Sequence, residues 1–328
     1  MDSASDLFRM IDISVILCTY NGRSRLRPTL EHLALQETSL QWELILVDNA
    51  STDGTAAYVR SQWEELHPSA SLRIITECRP GLVYARIAGV KACRSKYIIF
   101  CDDDNWLRED YLQTAYELME QMPNVGVLGG QGALAPYIEA PIWWKGNECN
   151  YAAGKQMQKT GIANERGFLS GAGMVTRTEL AWKVFDDRYP FLLTGRKGNQ
   201  TLSGEDWEYC IRVMMVGYDL YYREDLFYWH DVDASRLTGE YLNKLLNSFE
   251  LGTSIYEKYK YALSYQRESF LGNVLKLHIR VWKYLTASSV SIKRKRDLLY
   301  MHAYMMGLLF EPDRDFNIIK GFSHYAKK

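Results

Sequence analysis

The sequence predicts an α/β fold, with a mostly parallel sheet flanked by helices and a helical C-terminal part. Three observations carry this expectation. Apolar, β-branched runs of strand length alternate with stretches of helical spacing through residues 13–122. Strand and helix in alternation specify parallel strands joined by crossovers. Acidic residues, Asp48 and Asp102 to Asp104, stand at the carboxyl ends of two of these runs, where such sheets bind ligands. The bulk composition agrees: 328 residues, 47% hydrophobic and 24% charged, exclude a disordered or fibrous chain and leave ample length for a core.

The elements follow in order. Residues 13–20, ISVILCTY, form a continuous apolar run, the habit of a strand buried on both faces. Asn21-Gly22 punctuates, and Leu26, Leu30, Leu33 and Ala34 then recur at helical spacing, with Pro28 near the start of that helix. WELILV (42–47) is a second strand, DNASTDG (48–54) a turn with helix-capping residues, and an amphipathic helix runs on to Trp63. Leu72–Thr76 is a third strand and Gly81–Cys93 a helix. KYIIFC (96–101) is a fourth strand that runs directly into three aspartates, and Trp106–Met122 reads as a helix. Beyond it the pattern loosens. Val125–Gly130 reads as a strand, 131–170 as loops with short strands, Phe168–Thr176 as a glycine-rich piece ending in a strand, and Arg196–Gly204 as a polar loop. Glu205–Val216 is helical with Gly217 as its cap, Tyr218–Tyr222 and Phe227–His230 are short strands, and from Thr238 the pattern is helical. No internal repeat is present.

Six cysteines without a CxxC pair argue against a structural zinc site or redox motif and read as small core residues. The opening MDSASDLFRMID has three acids and no apolar run, unlike a signal peptide, and no window of 18 uninterrupted apolar residues suggests a spanning helix. The expectation is a cytoplasmic protein.

Several residues carry chemistry, each with a plainer alternative. Three consecutive aspartates repel one another unless a cation neutralises them. A hard divalent ion such as Mg²⁺ or Mn²⁺ suits oxygen ligands, whereas the plain reading is capping of the helix that follows. Asp48 either closes an Asx turn or accepts a hydrogen bond from a ligand. Tyr20 is either a rim residue or a ring that stacks on a flat ligand. Glu205 and Asp206 open a helix, as dipole partners or as a general base aimed into a cleft. His230 is a packed histidine or a ligand. Trp143 and Trp144 are packing anchors or a platform for a sugar ring. The loop 190–204, with Gly195, Gly198 and Gly204, is a surface loop or a segment that orders on donor binding and excludes water.

Taken in order, SVILCTYNG (14–22), VDNASTDGT (47–55), GLVYARIAGVKACRSKYIIFCDDDN (81–105) and GEDWEYCIRVMMVGYDLYY (204–222) resemble the glycosyltransferases of family 2, inverting enzymes of the GT-A fold. The resemblance runs over about residues 13–232. It implies a Rossmann-like sheet in a catalytic domain over 1–237, with a nucleotide-binding half (1–125) and an acceptor half (126–237), followed by a helical extension over 238–328. It implies a nucleotide-sugar donor, most often a UDP-sugar, held by Thr19, Tyr20, Asn21, Asp48, Arg86, Asp102 and Asp103. Asp102, Asp104 and His230 would hold Mn²⁺ or Mg²⁺, Asp206 with Glu205 beside it would be the general base, and Trp143, Trp144 and Tyr151 would shape the acceptor site. Ile87 departs from the Asn that many members carry after the arginine. The acceptor would be a saccharide or a lipid-linked saccharide, as in bacterial-type surface polysaccharide or glycolipid synthesis.

Two other classes compete. A metal-dependent nucleotidyltransferase needs a glycine-rich phosphate cradle after the first strand, to which NGRSR (21–25) is a thin match. A non-catalytic nucleotide-sugar binder needs no base, against which Asp206 counts. The near-neutral total charge hides an asymmetry: residues 241–328 carry 15 Lys and Arg against 7 Asp and Glu, including KRKR at 293–296. The first reading of that tail is a solvated basic face on a helical subdomain. The sharper one is peripheral contact with an anionic membrane surface. Nucleic acid is not an expected partner, because no recognised motif accompanies the basic run.

Overall fold

The computed structural model describes residues 11–197, 200–267, 286 and 314–327. Its strands are β1 (Ile13–Thr19), β2 (Trp42–Asp48), β3 (Ser71–Thr76), β4 (Tyr97–Asp102), β5 (Asn105–Leu107), β6 (Val125–Leu134), β7 (Gly161–Ile162), β8 (Val175–Arg177), β9 (Gly195–Lys197), β10 (Gln200–Leu202) and β11 (Asp219–His230). Its helices are α1 (Leu26–Ala34), α2 (Thr55–Leu66), α3 (Leu82–Ala92), α4 (Tyr111–Gln121), α5 (Thr178–Val184), α6 (Glu205–Val216), α7 (Gly239–Arg267) and α8 (Arg314–Ala326). The described residues form one sheet in the order β3-β2-β1-β4-β8-β6-β11-β5, with β7 beside β11, and a separate β9–β10 pair.

β1 and β2 are buried along their whole length because both faces of the sheet are covered. The period of two divides their side chains between the faces. Ile16, Ile45 and Phe100 join α3, α5, α6, α7 and α8 in one core. Val15, Leu17, Leu44 and Ile99 join α1, α2 and α4 in the other. β3 is exposed at alternate positions because it is the sheet's edge. Helix α3 lies close on the sheet at Gly89, where a Cβ would stand 2.5 Å from Ile16 and 3.2 Å from Val47.

The first half matches the alternating pattern closely, and the β3-β2-β1-β4 part is parallel. The second half departs from it. β8 runs antiparallel to both β4 and β6, so the mostly parallel sheet carries short antiparallel strands in this half. Trp106 and Leu107 do not open a helix. They form β5, antiparallel to β11, and α4 starts only at Tyr111. This also removes helix capping as the reason for the three aspartates, since Asp104 and Tyr111 are separated by a strand. The two short strands at 218–230 are one strand, β11, with a register irregularity between Tyr222 and Phe227 that absorbs the charged residues Arg223, Glu224 and Asp225. β9 and β10 pair within the stretch expected as a loop, and helix α5 was not legible in the pattern.

All six cysteines are free; Cys18, Cys93, Cys101 and Cys210 are buried and Cys78 and Cys149 exposed. Among the described residues no helix is long and apolar enough to cross a membrane. Much of the tail, including the basic run 293–296, lies outside the described residues.

Candidate active site

The parallel strands end together. Thr19 is the register partner of Asp48, and Cys18 that of Asp102, so β1, β2 and β4 deliver their last residues to one edge. There a cavity of about 770 Å³ opens. Thr19, Tyr20, Arg86, Asp102, Asp103, Asp104, Glu205, Asp206 and His230 all line it. The cavity therefore gathers nine of the sequence-predicted residues from β1, α3, β4, α6 and β11.

On the strand side, Asp103 is buried. It accepts hydrogen bonds from the Arg25 guanidinium at 2.6 and 2.9 Å and from the Thr19 hydroxyl at 2.5 Å. Burial pushes its carboxyl up from the usual range, and the Arg25 fork pulls back against that. Gly22 is required here, since a Cβ on it would stand 2.1 Å from the Thr19 hydroxyl. Asp102 faces the cavity with Arg86 at 3.5 Å. Burial works against the Arg86 charge, but Asp102, Glu205 and Asp206 more than compensate, and the guanidinium stays protonated. It also covers the Phe100 ring at 5.2 Å.

Asp104 meets His230 Nε2 at 3.4 Å and Arg236 at 3.1 Å. The other ring nitrogen of His230, Nδ1, lies 2.6 Å from the Tyr151 carbonyl. With Nδ1 donating to that carbonyl, Nε2 faces Asp104: protonated it donates to the carboxylate, and deprotonated it offers a lone pair that a metal between them could take, its ring held by the outer partner. Burial disfavours the imidazolium, but the Asp104 carboxylate outweighs it and raises the pKa. Asp104 and His230 thus fit two positions of a divalent ion, with diphosphate oxygens and water suited to the others. Among the described residues no three His, Cys, Asp or Glu side chains converge on one point, so Asp102 does not complete a set with them.

On the opposite bank of Arg86, α6 starts at Gly204, whose φ of 119° lies in the region that favours glycine. Asp206 accepts from the Trp207 amide at 2.9 Å and the Gly171 amide at 3.3 Å. Burial and the neighbouring Glu205 push its carboxyl up to about 7, against the pull of Arg86. Gly171 is packed against that arginine, where a Cβ would meet the guanidinium at 2.7 Å.

The remaining candidates lie elsewhere. Asp48 accepts from the Ser51 amide at 2.9 Å, the turn-closing role that its setting permits. Asn21, at φ 49°, accepts from the Thr52 amide at 2.8 Å and ties the two loops together. Neither lines the cavity; Asn49 does, bonding Glu77, Arg79 and Gly81. Trp144 is buried against Tyr151 with ring centroids 4.9 Å apart, and Trp143 packs beside both. The two tryptophans therefore pack behind the wall that carries Tyr151, which lines the cavity. Three cavity arginines went unseen in the sequence: Arg25, Arg166 and Arg236. Arg25 had a signal, since it closes the NGRSR segment, but Arg166 and Arg236 follow no motif. The helix α7 was read as an extension, yet Tyr241, Leu245 and Phe249 line the cavity.

The sheet, with acidic residues at its strand ends facing a helix-borne carboxylate, defines a protein of the GT-A glycosyltransferase fold. The sequence model described as Glycosyl transferase family 2 matches residues 14–185, and the chain belongs to that family. The putative teichuronic acid biosynthesis glycosyltransferase TuaG of Bacillus subtilis (strain 168) is 31% identical over 107 residues, 33% of this chain and 41% of that protein. The poly(ribitol-phosphate) beta-N-acetylglucosaminyltransferase TarS of Staphylococcus aureus (strain Mu50 / ATCC 700699) is 26% identical over 113 residues, 34% of this chain and 19% of that one. Both alignments span less than half of the relative's own length. Among solved structures, S. aureus TarS 1–349 in complex with UDP-GlcNAc superposes with a TM-score of 0.52 at 17% identity, covering 97% of this chain and 82% of that one. The mannosyltransferase PcManGT from Pyrobaculum calidifontis, in complex with GDP-Man and Mn²⁺, gives 0.51 at 19% identity, covering 99% and 88%. These likenesses show the fold.

Proposed function

We propose that this protein is an inverting glycosyltransferase that moves a sugar from a nucleotide-sugar, a UDP-sugar in the first instance, to an acceptor hydroxyl. The observation that carries the reading is Asp206, a carboxylate whose pKa is pushed to about 7, sharing one cavity with Asp102 to Asp104. A base that titrates near the working pH is suited to take a hydroxyl proton. The acceptor oxygen attacks the anomeric carbon from the face opposite the leaving group. The bond from that carbon to the diphosphate breaks, its electron pair stays on the diphosphate, and the hydroxyl proton passes to Asp206. One carboxylate is sufficient for this single displacement, unlike the pair about 5 Å apart that retaining glycosidases need.

Tyr20, 55% exposed at the cavity rim, offers its ring to the base. Arg86 holds Asp102 in place and stands between the two carboxylate groups. Asp104 and His230 would hold Mn²⁺ or Mg²⁺, which supplies positive charge against the diphosphate. The names of the relatives support an acceptor in surface polysaccharide synthesis, a saccharide or lipid-linked saccharide. The nucleotidyltransferase reading loses support in the 21–23 loop. Its amides donate to Ser51, Thr55 and Asp53, so they are not free to cradle phosphates.

A panel of nucleotide-sugars, assayed for UDP, GDP and CMP release with Mn²⁺ or Mg²⁺, tests the class. With the donor found, Asp206→Asn lowers turnover by roughly 10² to 10⁴ and leaves nucleotide affinity near wild type. Full transfer by that variant removes Asp206 from the role of base.

A further inference from the structure

Four arginines line the cavity, and three of them are paired there: Arg25 with Asp103 at 2.6 Å, Arg86 with Asp102 at 3.5 Å and Arg236 with Asp104 at 3.1 Å. Arg166 is different. Among the described residues no carboxylate pairs with it, and its Nε is buried without a hydrogen-bond partner. Its polar neighbour is the thiol of Cys149, which itself donates to the Lys155 carbonyl at 2.8 Å. A guanidinium nitrogen taken out of water without an acceptor, as Nε is here, is costly unless a ligand provides one.

The position of Arg166 says which ligand. Its guanidinium lies 4.4 Å from the centroid of the Phe168 ring, and Phe168 meets Trp207 with centroids 5.3 Å apart. Trp207 follows Asp206 and donates its amide to that carboxylate. Asp206 and Arg166 both lie close enough to the Cys210 thiol and the Tyr256 hydroxyl to act on their titration, with opposite sign. Arg166 therefore shares with Asp206 the stretch of wall built from Phe168, Trp207, Cys210 and Tyr256. Whatever presents its hydroxyl to Asp206 has the rest of its body within reach of this arginine.

We propose that Arg166 binds an anionic group of the acceptor, a phosphate or a carboxylate, and so orients the acceptor hydroxyl toward Asp206. The proposal rests on the transferase reading above. A planar guanidinium offers two parallel N–H groups to either anion, while the Phe168 ring fixes its plane. A neutral sugar leaves that charge unanswered, so an acceptor lacking the anion is bound more weakly.

The test uses the full chain saturated with UDP and Mn²⁺ and titrated with small probes by calorimetry or NMR. Glycerol 3-phosphate is compared with glycerol, and glucuronate with glucose. The expected result is at least tenfold tighter binding of one anion than of its neutral counterpart. A preference for glycerol 3-phosphate alone assigns a phosphate, and for glucuronate alone a carboxylate. Arg166→Gln abolishes the preference, Arg166→Lys keeps part of it, and both bind UDP as wild type does. The proposal is overturned if wild type shows no preference, if Arg166→Gln retains it, or if Arg166→Lys loses UDP affinity, which would put the residue on the donor side. The transferase reading fails separately, through a nucleotide-sugar panel without turnover, and that outcome leaves the anion preference measurable.

Discussion

The ionisation of Asp206 is set by its surroundings more than by its own chemistry. Burial and Glu205 favour the neutral acid, while Arg86 and two amides favour the carboxylate, and the balance lies at about 7. In its proposed role as base Asp206 must be ionised, so kcat/KM should rise with pH and level off above about 7, falling tenfold per unit below it; a profile flat from pH 5 to 8 would count against that role. The effect on stability has the opposite sign. A carboxyl whose folded pKa is raised favours the native state at low pH, and that contribution is lost as pH climbs from about 4 to about 7. Wild type should therefore lose Tm relative to Asp206→Asn across that window, a difference that thermal melts at pH 4, 6 and 8 detect; parallel curves would remove the assigned cause. Asp104 is the second residue whose proposed role has a direct test. Asp104→Ala should weaken Mn²⁺ binding in the presence of UDP by at least tenfold while UDP binding without metal changes little. Calorimetric titrations that are the same for both proteins would count against Asp104 as a ligand.

Helix α6 brings Asp206 to the cavity because of what its buried face holds. Two turns in, Arg212 is fully buried and donates to the Val184, Tyr189 and Pro190 carbonyls, to Glu208 at 2.7 Å and to the Tyr259 hydroxyl at 2.8 Å. Glu208 in turn accepts from the Leu192 and Leu193 amides and from Tyr259. This network ties α6 to the 184–193 segment and to α7. Burial raises the Glu208 pKa, with Arg212 opposing it. Removing one partner leaves an unpaired buried charge, so Arg212→Ala should cost about 3–5 kcal/mol. For a chain of this size that corresponds to a fall in Tm of roughly 4–7 °C. Chemical denaturation showing a loss below about 1 kcal/mol would mean that the network is dispensable.

At the scale of the molecule, the basic tail differs in charge from the rest of the chain, yet its first helix reaches the cavity. α7 belongs to the tail by sequence, yet it closes the cavity through Tyr241, Leu245 and Phe249 and packs on α6 through Tyr256 and Tyr259. A boundary at residue 238 therefore divides the chain by pattern, not by site. The first reading of the tail's basic residues is a solvated face; the alternative is an anionic surface, where each would be worth about 1 kcal/mol. Sedimentation of the full chain with vesicles rich in phosphatidylserine, released by salt, would favour the surface. Sedimentation indifferent to anionic lipid and salt assigns the basic residues to a solvated face.

The order of the first six elements was legible because each obeys a local rule. Strands rich in apolar residues alternate with helices of clear spacing, and the strand ends carry residues of unmistakable chemistry, Tyr20 and Asp102 to Asp104. Asp206 was legible as well, since it opens a helix that a glycine precedes and a glycine ends. The residues that escaped depend on contacts distant along the chain. Arg236 meets Asp104 across 132 positions, and Trp106 becomes a strand because β11 pairs with it. Trp144 was ambiguous until Tyr151 was seen packed on it. By itself the sequence determined the central sheet, the family and most of the carboxylates, because periodicity and short motifs are local properties. Only the tertiary structure decided which arginines neutralise those carboxylates, which one is left over and which helix closes the cavity, because pairing and burial exist only once distant segments meet.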